Sequence, residues 1–180
     1  AVIAAVSLAP AHAQLYWNTT NGYTGNWTSA SWGTSASGPF ATVGTSGSSA
    51  VFTANSTNNF SSATVGNVTV ADGVTVKVTN NQTLTLGGVR TFDIGAGSLL
   101  DWASQTQSTA AANEGAGLIK NGAGTLNWGA GPGTMTTPRF NGGFTINAGT
   151  VIVSGNRSFG YGALNLNGGT ISSSGTLAFT

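Results

Sequence analysis

The chain has no cysteine, one histidine, one methionine and four prolines in 180 residues, and only 5 percent of its residues are charged. An average soluble domain carries about a quarter. Without cysteine there is neither a disulfide framework nor a thiolate metal site, so burial and backbone pairing must hold the fold together. Lys77, Arg90, Lys120, Arg139 and Arg157 stand singly and the net charge is +1, so no basic stripe can track a phosphate backbone. Nucleic acid is therefore not an expected partner. Low charge also argues against a disordered tail, which combines high net charge with few apolar residues, whereas 39 percent of this chain is hydrophobic. No apolar run keeps a 3.6-residue period beyond two turns, so helices are not expected, and none is long enough to span a bilayer.

What the chain does have is glycine, 28 residues of it, with Asn, Ser and Thr between short apolar runs. It opens on "AVIAAVSLAPAHAQ", an apolar run ending in Ala11-His12-Ala13, the small-x-small pattern of a secretory cleavage site, with Gln14 as first mature residue. Residues 1–13 read as the remainder of a signal peptide, and the protein as exported, to the cell surface or outer membrane or into the medium. His12 then leaves with the signal, so neither a Ser-His-Asp set nor a histidine zinc site can form. No cofactor, metal or catalytic residue is expected.

Residues 14–63 read as an N-terminal cap region rich in aromatics, Gly, Ser and Thr. In "LYWNTTNGYTGNWTSASW", Trp17, Trp27 and Trp32 stand among turn residues. They fit a large apolar lid closing the end of a core, since terminal repeats need atypical caps. As an alternative they form a stacking platform for a glycan or partner. Residues 36–63 keep Val51, Phe52 and Phe60 at intervals, which a flexible linker would lack, and predict two short strands.

From residue 64 to 180 the writing is regular. "VTV" (68–70), "VTVKV" (74–78), "TLTL" (83–86), "TFDI" (91–94) and "SLLDW" (98–102) alternate apolar with polar residues, the period-2 mark of half-buried strands. Val68, Val70, Val74, Val76, Val78, Leu84, Leu86, Phe92 and Ile94 are the predicted inward set. Residues 103–114 read as a loop that carries at most a helical turn. "GLIKNGAGTLNW", "GGFTINAGTVIVSGN" and "GALNLNGGTISSSGTLAF" then resume the strand pattern.

Short strands recurring this closely fit an antiparallel sandwich of hairpins, to which Asn121-Gly122, Asn141-Gly142 and Asn167-Gly168 would supply turns, or a right-handed parallel β-helix. Self-similarity favours the β-helix. "NGAGTLNW" (121–128), "NAGTVIV" (147–153) and "NGGTISS" (167–173) align as Asn, one or two small residues, Gly, Thr and an apolar residue.

Gly117, Leu118, Lys120, Gly122, Gly124, Thr125 and Leu126, followed by Phe140, Gly142, Thr145, Ile146, Gly149 and Val151, resemble the autotransporter-associated β-strand repeat, clearest over 117–151. That repeat has the form G-x-L-x-K-x-G-x-G-T-L-x-L, then an aromatic, then G-x-T-x-I-x-x-G-x-L. This chain has one residue fewer before Lys120, Phe140 for the usual Tyr, Phe144 before Thr145, and Trp128 for the usual Leu. The resemblance implies a β-helical passenger segment of an exported bacterial surface protein, handled by export machinery, with the repeat assisting translocation and folding. It implies no particular ligand. The pattern at "GTLAFT" (175–180) reads as truncated, with the route of export left open.

A glycosidase needs two carboxyl groups about 5–10 Å apart. Of Asp72, Asp93, Asp101 and Glu114, only Asp93 with Asp101 qualifies, if their strands are neighbours. The glycines of "GAGTLNWGAGPG" lack the Lys-Ser/Thr of a phosphate loop and flank a strand. Lys120 is expected to face water and protect a strand from stray pairing. The leading expectation is a non-catalytic structural segment or stalk. An adhesin or glycan-binding module contacting host or environmental surfaces is the alternative, and a polysaccharide-cleaving β-helix the third reading.

Overall fold

A computed structural model describes residues 13–60, 64–79, 83–102, 106–107, 115–128, 141–153 and 159–173. The signal-like segment 1–12, Glu114, Arg139, Phe140 and most of the 103–114 loop lie outside them. The described chain is all-β, without helices. It forms an eight-stranded sheet, a seven-stranded sheet and a two-stranded strip, and its pairing is parallel except at β3 (Trp32–Gly33), which runs antiparallel to β1 (Gln14–Trp17) and makes an antiparallel bridge to Thr42.

The chain alternates between the two large sheets. β4 (Ser49–Phe52), β6 (Val68–Val70), β9 (Val89–Ile94), β12 (Gly117–Asn121), β14 (Phe144–Ile146) and β16 (Leu164–Leu166) lie in the first. β2 (Tyr23–Asn26), β5 (Ser56–Asn59), β7 (Thr75–Thr79), β10 (Leu99–Asp101), β13 (Thr125–Trp128), β15 (Thr150–Val153) and β17 (Thr170–Ser173) lie in the second. We call one strand of the first sheet with the following strand of the second a tier. Each tier from β4/β5 to β16/β17 pairs in parallel with the one before it. β8 (Thr83–Leu84) pairs with β11 (Thr106–Gln107) to form the strip, so residues 106–107 of the segment read as a loop are strand.

The antiparallel sandwich fails on this pairing. Asn121-Gly122 and Asn167-Gly168 do not close hairpins; each carries the chain from the first sheet to the second. The sequence repeat is visible here as register. Thr125, Thr150 and Thr170, the threonines of the three aligned segments, stand opposite one another, and so do Leu126, Val151 and Ile171.

Alternation decides which side chains are buried. Val68, Val70, Val74, Val76, Val78, Leu86, Phe92 and Ile94 are all buried, as their period-2 spacing requires, while the side chain of Leu84 lies outside the described ones. In the second sheet Val76, Leu100, Leu126 and Val151 form one column in register and are fully buried. Each such side chain is worth about 1.5–3 kcal/mol of burial. The ladder meanwhile pairs backbone groups that would otherwise be costly to bury.

A line of touching rings runs through the core. Trp17 meets Trp32 at 4.7 Å, Trp32 meets Phe52 at 5.8 Å, and Phe52 meets Phe60 at 6.5 Å. Phe60 stacks on Trp102 at 4.9 Å, Trp102 meets Trp128 at 6.1 Å, Trp128 meets Phe144 at 6.4 Å, and Phe144 meets Phe159 at 5.1 Å. Most of these contacts are edge-on or tilted, the arrangement that ring quadrupoles favour.

Candidate functional site

Trp17, Trp27 and Trp32 are 1, 2 and 0 percent exposed. The alternative of a glycan platform is corrected by that burial, because as folded none of the three presents a ring face to a sugar. They are held there by the local writing of the cap. Gly25 on β2 leaves room beside Trp17, since a Cβ at that position would meet the indole at 2.9 Å. Trp32 donates its indole N–H to the Trp27 carbonyl at 3.1 Å and packs against the Trp27 ring at 4.8 Å.

The carboxylates are dispersed. Asp93 is on β9 in the first sheet and Asp101 on β10 in the second, because the turn at 95–98 moves the chain across. The register neighbours of Asp93 are Thr69 and Asn121; those of Asp101 are Lys77 and Asn127, and Asn127 donates its amide to Asp101 at 2.9 Å. The two therefore do not occupy neighbouring strands of one face, as the glycosidase reading required. Asp72 is used structurally, accepting the Ala96 N–H at 2.7 Å. Among the described residues no group of three or more His, Cys, Asp or Glu side chains comes together.

Lys120 is the largest departure from expectation. It is 0 percent exposed, not facing water. Leu118 and Lys120 sit two residues apart on β12 and so share a face, and with Leu118 inward Lys120 must be inward too. Its register neighbours are Phe92 and Ile146, both fully buried. The ammonium survives there by turning its Nζ to backbone oxygens. It donates to Asn121 O at 2.6 Å, to Gly122 O at 2.7 Å and to Ala148 O, in the next tier, at 3.3 Å. Burial lowers its pKa from 10.5 to about 8, while the nearby Asp93 carboxylate pulls the other way. The aligned repeats carried a signal for this placement, because the residue before each leading Asn is Lys120, Ile146 and Leu166, which are register neighbours in one column.

The rest of the repeat motif divides between core, turn and surface. Leu118, Leu126 and Ile146 are fully buried, whereas Thr125 and Thr145 point outward and are half-buried. Gly117 and Gly142 lie where chains of successive tiers cross closely: a Cβ on Gly117 would meet the Gly142 carbonyl at 2.8 Å, and one on Gly142 the Gly115 carbonyl at 2.5 Å. Gly122, Gly124 and Gly149 belong to the turn between sheets. Outside that turn the leading asparagines form a ladder, Asn167 donating to Asn147 and Asn147 to Asn121, each at 2.8 Å.

A second polar feature was missed in the sequence. Asn58 on β5 is fully buried, and neither its Nδ2 nor its Oδ1 has a hydrogen-bond partner; Ser56 Oγ, Trp17 Nε1 and Trp102 Nε1 are likewise buried without one. The register neighbours of Asn58 are Gly25 and Val78, neither of which offers a polar side chain. A buried amide without partners costs about 1–3 kcal/mol. Asn58→Leu, similar in shape and apolar, is therefore expected to raise stability by about that amount in urea-induced unfolding. A midpoint that fell would show that the amide is satisfied in solution.

Among the described residues no helix is long and apolar enough to cross a membrane. Comparison of the chain with protein-family models, curated proteins and solved structures found no match.

Proposed function

We propose that the two sheets are walls of a right-handed parallel β-helix, and that the chain is a non-catalytic structural segment, a passenger or stalk, of an exported surface or secreted protein. One observation carries this reading: parallel register continues from β4/β5 to β16/β17, and the repeat motif coincides with that register. Each tier covers the apolar rim of the tier before it, so order can propagate from one end as the chain emerges from a membrane. The repeat at 117–151 then serves folding during export, which is also what its resemblance implies. The dispersal of Asp72, Asp93 and Asp101 supports a mechanical role over glycan cleavage.

The test is to express the full chain with residues 117–151 deleted and to measure both the amount of exported protein and its resistance to protease. Both are expected to fall together, because the deletion removes β12, β13, β14 and the first half of β15, which connect the earlier tiers to the later ones. Export and protease resistance that remained at the level of the intact chain would sink the proposal.

A further inference from the structure

The apolar column of the first sheet runs Ala50, Val68, Phe92, Lys120, Ile146 and Leu166. A single basic side chain thus stands where its register neighbours are hydrocarbon. Its nitrogen also bridges two tiers, since one acceptor ends β12, one lies in the turn after it, and the third, Ala148 O, lies in the turn after β14. All three acceptors are neutral carbonyls. When β14 and β15 lift away, Ile146 and Ala148 leave and water reaches the amine. In the closed stack burial among Phe92 and Ile146 disfavours the charged form while the carbonyls and Asp93 favour it; burial is the larger effect and lowers the pKa, and opening removes it.

We propose that Lys120 is a proton-operated latch between tiers: β14 and β15 seat more firmly on β12 and β13 when the amine is neutral, and open more readily when it is protonated. The direction follows from linkage. The closed-state pKa is about 8 and the ordinary value 10.5, so the stabilisation is complete above about 10.5 and is lost as pH falls through about 8. At neutral pH the latch is at its loosest.

Among the described residues, other charges around the site are few. Asp93 on β9, exposed and in register with Asn121, acts on it through its charge and opposes the shift. Arg90, also on β9, is turned to the Leu86 and Gly87 carbonyls. β13 (TLNW), β14 (FTI) and β15 (TVIV) carry no acidic or basic side chain, and Asp101 on β10 is bonded to Asn127 in the second sheet.

Amide hydrogen exchange of the full chain and of Lys120→Met, compared at the same pH between 6.5 and 9.5, tests this with intrinsic exchange rates cancelled. The opening constant of β14 and β15 in the native chain, relative to the variant, should be flat below about pH 8. Above it the ratio should fall by up to about tenfold per pH unit, with β6 and β7 unaffected. A ratio that is flat throughout, rises with pH, or changes equally in all tiers overturns the latch; a rise would mean that the ammonium–carbonyl bonds dominate.

Should Lys120→Met fail to fold, the native chain still decides. Its lysines are Lys77 and Lys120, and an NMR titration of the assigned Lys120 side-chain carbons reads the amine directly. Lys120 titrating near pH 8 is the expected result; titration at the ordinary lysine value of 10.5 would overturn the proposal.

Discussion

Trp102→Ala is expected to cost about 3–5 kcal/mol, the range for truncating a large buried aromatic. Typical domains have only about 5–15 kcal/mol of stability, so the variant should unfold at a much lower urea concentration or fail to accumulate. Trp102 is 1 percent exposed and follows β10 directly. Its ring touches Phe60 at 4.9 Å, Phe92 at 5.5 Å and Trp128 at 6.1 Å. Phe60 belongs to the group of rings that includes Trp27 and Phe52, whereas Phe92 and Trp128 lead on to Phe144. Among the described residues, Trp102 is the ring through which the two groups meet. Truncation leaves a cavity bordered by rings from different tiers, fixed by strand pairing and poorly able to collapse. Trp102→Phe should be much milder, because it keeps a stacked ring and removes an indole N–H that has no partner. A Phe variant as unstable as the Ala variant would show that the indole N–H is bonded in solution and that the loss lies there.

The sequence made the period-2 strands legible because apolar residues on one side of a strand fix its parity. "VTVKV" can be placed in only one way, and its three valines are buried. "GLIKN" allows two, since either Leu118 or Ile119 can be the inward residue, and the choice reverses the fate of Lys120. Pairing with β9 and β14 settled it, putting Leu118 and Lys120 inside. "STNN" offers no apolar residue at all, so nothing in it announces that Ser56 and Asn58 face the core. Their parity is imposed by the neighbours Tyr23, Gly25, Val76 and Val78.

Separation along the chain misled in the case of the carboxylates. Asp93 and Asp101 are near in sequence, but the intervening turn changes sheets, so sequence neighbours end in different sheets. For the tryptophans, composition identified large apolar rings and left their exposure open. The close packing of Gly25 and Gly44 against Trp17 and Trp27, which needs coordinates to be seen, shows them enclosed.

Gly149→Ala should cost more than the φ angle alone explains. Gly149 has φ +72° and Gly73 has φ +70°, so alanine at either place meets the left-handed penalty of about 1–2 kcal/mol. Their surroundings differ. A Cβ on Gly73 would find nothing within 4 Å, whereas one on Gly149 would be driven into the Gly124 carbonyl and meet the Gly122 carbonyl at 2.6 Å. The same relation repeats through the turn between sheets: a Cβ on Gly124 would strike the Gly95 carbonyl, and one on Gly169 would meet the Gly149 carbonyl at 2.5 Å. Glycine at these places is required by the tier beneath, whose backbone occupies the volume of a methyl group. Overpacking of this kind adds about 1–3 kcal/mol, and here the obstruction is backbone, which cannot rotate aside as a side chain can. Gly149→Ala is thus expected to lose about 2–5 kcal/mol in urea unfolding and Gly73→Ala about 1–2. Equal losses would mean that the tiers are spaced more widely at this turn than the carbonyl contacts indicate. A larger loss at Gly149 would tie the Asn-x-Gly-Thr signature to tier-on-tier contact, which explains why the motif recurs wherever the chain crosses from the first sheet to the second in the later tiers.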